Sequence, residues 1–312
     1  MPIEVSIPAD SSRSGVRGPV AARSAVFASF LAASIATFLG PLRNLLTVSI
    51  AGEEYSYILL APVMVLGLFY MERRNIFRDL KYSLCPGTLI ILGGLSIAAA
   101  AVISAQLKAD SRLSLEILGF VTICLGSFVL CYGTGASGAG LFALLFSVLL
   151  VPLPEMVMAK PIALIQHGSA DVTGALFTLT GVPAFREGVT FSLPRLSFVV
   201  ATECSGIHSS IALFIASILA GYFYFKPGWE RPLLVLLVFP IISFTNGLRM
   251  FILATLAIYV DMSFFTGNLH HRGGSLFFAL ALVILAGVIK LLRGRWRLRS
   301  AASCRATESA QM

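Results

Sequence analysis

The chain has 312 residues, of which 57% are hydrophobic and only 12% charged, and its mean hydropathy is +0.89. A soluble domain carries about 25% charged residues, so this composition argues against a water-soluble fold. Apolar runs of about 18–20 residues point to a polytopic helical membrane protein. The net charge of +8 does not indicate nucleic acid: the basic residues gather in a few inter-helix loops and at both ends, as the positive-inside rule produces.

Residues 1–22 are rich in Ser, Pro, Gly, Ala and Arg and read as a disordered cytoplasmic tail. The first apolar run, Ala25–Leu42, is longer than the apolar part of a secretory signal and is followed by further runs, so it reads as an uncleaved first span. Tyr57–Tyr70 is the second, closed by Met71-Glu72-Arg73-Arg74. Gly87–Gln106 is the third and Leu115–Tyr132 the fourth. A Gly-rich turn at 133–138 leads to the fifth, Ala139–Val151.

Residues 152–203 differ. Pro152-Leu153-Pro154 breaks the helical pattern, and residues 160–180 mix apolar positions with Gln166, His167, Ser169, Asp171 and Thr173, the pattern of an interfacial amphipathic helix. Residues 181–200 alternate like short strands, with turn signals at Gly181, Pro183, Gly188 and Pro194. This segment is expected to be a non-spanning cap. Ile207–Phe225 is the sixth span. Residues 232–260 form a seventh of roughly 43 Å, longer than one bilayer core, so its end should protrude, or bend near Asn246-Gly247. A polar turn at 261–274 precedes the eighth, Ser275–Leu292, and residues 293–312 form a basic cytoplasmic tail.

The expected fold is therefore an all-α polytopic integral membrane protein. It has about eight transmembrane helices and an amphipathic, irregular cap. The membrane domain covers 23–292, its cap 152–203 and its chemically interesting half 200–292. With the N-terminus inside, the larger share of Lys and Arg falls on the cytoplasmic side. The segment before the sixth span, the end of the seventh and the start of the eighth then meet at the outer face.

Those three places carry the unusual polar residues. Five cysteines occur, at 85, 124, 131, 204 and 304, with no C-x-x-C pair and no zinc spacing, so no metal or other cofactor is expected. Only Cys204 has polar neighbours, in Thr202-Glu203-Cys204-Ser205-Gly206-Ile207-His208. A thiolate is the reactive form of cysteine and needs a nearby cation, a histidine base or a helix N-terminus to form at neutral pH. Glu203, adjacent in sequence, opposes that ionisation. Arg249 lies in an otherwise apolar helix, where a cation is costly and marks a functional site. It can stabilise a thiolate, an oxyanion or a substrate carboxylate. Asn246 stands one turn before it on the same face. His270 and His271, before Gly273-Gly274, could move the proton, and His208, four residues beyond Cys204, is a further candidate. Together these residues specify acyl transfer through a thioester, with the acceptor left open.

Three short motifs in this order carry a family resemblance: Cys204-Ser205-Gly206-Ile207 with Ser209; Asn246-Gly247-Leu248-Arg249; and His270, four residues before Gly274. Over about residues 50–292 the chain resembles the exosortase/archaeosortase family, bacterial branch. Tyr55-Ser56 is similar to the start of an N-terminal family signature, with Tyr57 where histidine is usual. The resemblance implies a cysteine transpeptidase or protease of the bacterial cytoplasmic membrane. Its substrates would be exported proteins ending in a short motif, a transmembrane helix and a basic tail. It casts Cys204 as nucleophile, Arg249 as stabiliser of the thiolate or oxyanion, and His270 as general acid and base, with Asn246, Ser205, Gly206, His271 and His208 in support. Partners would be those substrates, the lipid bilayer and an acyl acceptor, with no nucleic acid. Both termini would be cytoplasmic and the active site on the outer face. A membrane acyltransferase acting on lipid or glycan, and a non-catalytic transporter or assembly protein, are the competing readings.

Overall fold

The computed structural model describes residues 17–51, 55–78, 80–104, 106–194, 196–200, 207–261 and 274–309; the side chains of 17–19, 207–208 and 295–309 fall outside the description. The chain divides into two compact units, Met1–Glu155 and Met156–Met312.

The elements of the first unit are all helical: α1 (Arg17–Thr37), α2 (Leu39–Ala51), α3 (Tyr57–Ile76), α4 (Leu84–Ile103), α5 (Ala109–Ala139), α6 (Leu141–Phe146) and a 3-10 turn at Ser147–Leu150 among the described residues. Its framework is the antiparallel pair α4 and α5. Lipid-exposed helices gain nothing from meeting apolar side chain to apolar side chain, so close backbone approach holds them together. Glycines provide that approach. A Cβ at Gly87 would lie 2.6 Å from the Leu130 Cα, and one at Gly94 would lie 2.9 Å from the Gly119 carbonyl oxygen. Gly133, at φ +91°, breaks α5 where the Gly-rich turn was expected, so that turn is a kink inside a longer helix. An aromatic cluster of Phe27, Phe69, Phe128 and Tyr132 packs around it. The Tyr55 hydroxyl donates to the Leu153 carbonyl at 3.4 Å, tying the start of α3 to the proline-rich break.

The second unit contains α7 (Glu155–Thr180), strands β1 (Phe185–Glu187), β2 (Thr190–Leu193) and β3 (Leu196–Val199), then α8 (Ile207–Tyr224), α9 (Glu230–Tyr259) and α10 (Gly274–Ser309). The strands form one antiparallel sheet in the order β1-β2-β3, with Arg186 opposite Phe191 and Phe191 opposite Phe198. They fall where the alternation and turn signals pointed. Helix α7 is amphipathic: Lys160, Leu164, His167, Asp171 and Thr178 are exposed, while Ile165, Ser169, Thr173 and Phe177 are buried at four-residue intervals.

Two apolar cores share α9. Leu234, Val238, Ile241 and Ile242 pack with Leu213 of α8 and Ala281 and Leu285 of α10. Further along the same helix, Met250, Leu253 and Ala254 pack with Phe177 of α7 and with Phe191, Leu193 and Phe198 of the sheet. At 30 residues, α9 rises about 45 Å against a hydrocarbon core of about 30 Å. It runs on as helix through Asn246-Gly247.

Five helical stretches are long and apolar enough to cross a membrane: Val20–Thr37, Leu84–Ile103, Ala109–Ala139, Glu230–Tyr259 and Gly274–Gly294; counting Leu141–Leu150 with Glu155–Thr180 as one broken span makes six. The expected eight are not reproduced among the described residues. Ala139–Val151 becomes α6 and a 3-10 turn, which together rise about 17 Å and fall well short of the bilayer core. The apolar part of α3 stops at Glu72-Arg73-Arg74, and the described apolar stretch of α8 is Ser209–Tyr224, below the 18 residues of a spanning window. Helix α1 begins inside the segment read as a tail, and α10 continues through most of the basic C-terminal segment.

Candidate functional site

A belt of cations and aromatics marks one end of the α8–α9–α10 bundle. The Arg231 guanidinium donates to the Phe225 carbonyl at 2.9 Å and lies 5.2 Å from the Tyr222 ring centroid, Arg293 lies 5.4 Å from the Tyr224 ring centroid, and Trp229 is exposed. Amphipathic side chains of this kind settle at a membrane–water interface. From Arg231 to Arg249, α9 rises about 27 Å, and from Arg293 back to Gly274, α10 rises about 29 Å. Arg249 and the start of α10 thus stand at one level of the bundle, at the end opposite the belt.

They also meet. A Cβ at Gly274 would lie 3.8 Å from Nη1 of Arg249, so the guanidinium lies in contact range of the first residue of α10. A pocket opens at this place. Its polar side is Ser209 and Ser210 from the first turn of α8, with Thr245, Asn246 and Arg249 from α9; its apolar side is Leu213, Ile242, Phe277, Phe278 and Ala281. Along α9, the polar residues fall between the two apolar cores, where neither core would be interrupted by them.

Helix α7 closes the site from behind. A Cβ at Gly168 would lie 2.6 Å from the Ser243 hydroxyl, and one at Gly247 would lie 2.7 Å from the Ser169 carbonyl oxygen, so α7 and α9 approach backbone to backbone. That brings three buried polar residues together. The Asn246 Nδ2 donates to the Ser169 Oγ at 3.0 Å, and the Thr173 Oγ1 donates to the carbonyls of Ser169 at 2.8 Å and Gly247 at 3.1 Å. Ser169 and Thr173 are fully buried and Asn246 nearly so. Gln166 of α7 donates to the Val200 carbonyl at 3.3 Å, at the exit of β3. On the outer surface, Arg186 pairs with Asp171 at 2.8 Å and donates to the Gly188 carbonyl at 2.7 Å, pinning the hairpin to α7.

Of the residues singled out by sequence, Arg249 and Asn246 line the pocket. His208 lies in the first turn of α8, with its side chain outside the description. Cys204, Ser205, Gly206, His270, His271 and Glu203 lie outside the described residues. In the chain, Cys204 stands three residues before α8 and His270 four residues before α10, the two helices whose first turns line the pocket. His167 is exposed on α7, away from its buried face. Among the described residues no group of His, Cys, Asp and Glu could hold a metal. Ser169, the partner of Asn246 on α7, and Thr173 beside it were not among the site residues expected from sequence. Their signal was the four-residue stripe Ile165-Ser169-Thr173-Phe177, in which two hydroxyls interrupt the apolar face.

The site thus belongs to a multi-pass helical membrane protein, its polar pocket lined by three of its helices, α8, α9 and α10. The chain matches the transmembrane exosortase family over residues 46–287, and it belongs to that family. No curated protein and no solved structure matches it.

Proposed function

We propose that the protein is a membrane-embedded cysteine transpeptidase that cleaves the C-terminal sorting signals of exported proteins. The observation that carries this is the pocket where the first turns of α8 and α10 meet Arg249. The N-terminal end of a helix presents unpaired N–H groups and partial positive charge. Two such ends and a guanidinium around one pocket favour an anion. Acyl transfer makes two anions in turn, a thiolate and a tetrahedral oxyanion.

In this reading the Cys204 thiolate attacks a backbone carbonyl of the signal. The carbonyl electrons move to oxygen, held by Arg249 and backbone N–H groups that include those near Ser205 and Gly206. The intermediate collapses to a thioester and expels the amine of the tail-bearing fragment, which takes its proton from His270. An acceptor nucleophile then gives a proton to His270 and attacks the thioester, releasing the Cys204 thiolate and restoring the protonated His270. Asn246 orients the Arg249 guanidinium, and His271 and His208 stand in support. The enzyme lies in the bacterial cytoplasmic membrane with both termini inside and the pocket at the outer face. A pocket at membrane depth suits a substrate that is itself a membrane helix.

The test is co-expression with a protein ending in a short motif, a transmembrane helix and a basic tail. Cys204→Ala should abolish removal of the tail while the enzyme accumulates normally, and mass spectrometry of the wild-type protein should find a thioester at Cys204. Unchanged processing by Cys204→Ala would refute the thiol mechanism.

A further inference from the structure

We infer that Ser169, on α7, is a positioning residue that fixes the Asn246 carboxamide against the pocket, so that the cap helix is part of the catalytic machinery. This rests on the transpeptidase reading above. Asn246 is the second polar residue after Arg249 on the α9 face of the pocket, and an amide there can turn about its terminal bond and exchange donor for acceptor. One contact removes that freedom. The amide nitrogen donates to Ser169 Oγ at 3.0 Å, 77 residues away in sequence, and both side chains are out of water. With the nitrogen committed to α7, the carbonyl oxygen is the end available to the pocket and to the guanidinium one turn along the helix.

The surroundings of Ser169 fit an orienting role. Its own carbonyl receives the Thr173 hydroxyl at 2.8 Å, and that hydroxyl also bridges to the Gly247 carbonyl at 3.1 Å. Gly168 and Gly247 set the helix separation that makes these contacts possible. Ser169 is fully buried beside Ala170, on a face that alanine or valine would fill with less desolvation. A hydroxyl placed there is costly unless it is bonded, and its bond goes to a pocket residue.

The experiment is pulse-chase processing of the signalled substrate by full-length enzyme, normalised to folded enzyme, for Ser169→Ala, Asn246→Ala and the double variant. Ser169→Ala should slow processing roughly tenfold, the scale of one orienting hydrogen bond. The double variant should be no slower than Asn246→Ala alone, because Ser169 acts only through that amide. Ser169→Cys, which keeps the shape but offers a weak sulfur acceptor, should slow processing alike and covers the case in which alanine prevents accumulation. Processing at the wild-type rate by the serine variants, or rate losses that multiply in the double variant, would overturn the inference. Cys204→Ala in the same assay separates the two readings: if it still processes, the thiol mechanism fails. If it does not and the Ser169 variants are normal, only the role of Ser169 falls.

Discussion

At the scale of single residues, the proposed mechanism asks most of Arg249 among the described residues. Its position between two cores and against Gly274 asks for a planar group that reaches the α10 terminus and the pocket together. Lysine would keep the charge and lose the fork. Arg249→Lys should therefore accumulate like the wild type but process substrate at least about tenfold more slowly, since losing an oxyanion donor costs about 10²–10³ in rate. Full processing by that variant would reduce Arg249 to a point charge. Arg249 was legible in the sequence because a cation inside an apolar run is conspicuous. Ser169 was not, since one hydroxyl on an amphipathic helix gives no hint of a partner 77 residues away.

At the scale of elements, the cap stands on aromatic packing. Phe191 is fully buried, stacks on Phe198 with centroids 5.4 Å apart and meets Phe177 edge-on at 5.7 Å. Phe185, on β1, is 70% exposed. Phe191→Ala should cost about 3–5 kcal/mol of local stability and speed proteolysis at the hairpin, whereas Phe185→Ala should leave the cleavage rate near that of the wild type. Equal rates in the two variants would mean that the sheet is not held by this core. The cap's elements were readable from alternation, glycine and proline. The shortness of α6 and the start of α7 were less so. Hydropathy reports that a stretch avoids water, and a half-length helix packed among others satisfies it as well as a span does. The close α4–α5 pairing was hidden for a related reason: glycines at seven-residue intervals mark a contact face without naming the helix that covers it.

At the scale of the whole molecule, the proposed orientation puts the Trp229–Arg231 belt inside and the hairpin outside. On a background without the native cysteines, Glu187→Cys should react with a membrane-impermeant maleimide in intact cells, and Lys226→Cys only after permeabilisation. The opposite pattern would invert the topology and place the pocket at the cytoplasmic face. The length of α9 has a consequence for the lipid as well. The belt at Arg231 and the pocket at Arg249 lie on one continuous helix, so their separation of about 27 Å is fixed by the backbone. The bilayer has to match that length or deform around it. In the proposed orientation helix α9 acts as a ruler: a membrane thicker by a few ångströms would draw the pocket mouth below the headgroups, and a thinner one would lift it into water. In the proposed function, acyl-chain length then controls how readily a scissile bond at the end of a substrate's own membrane helix comes level with Arg249.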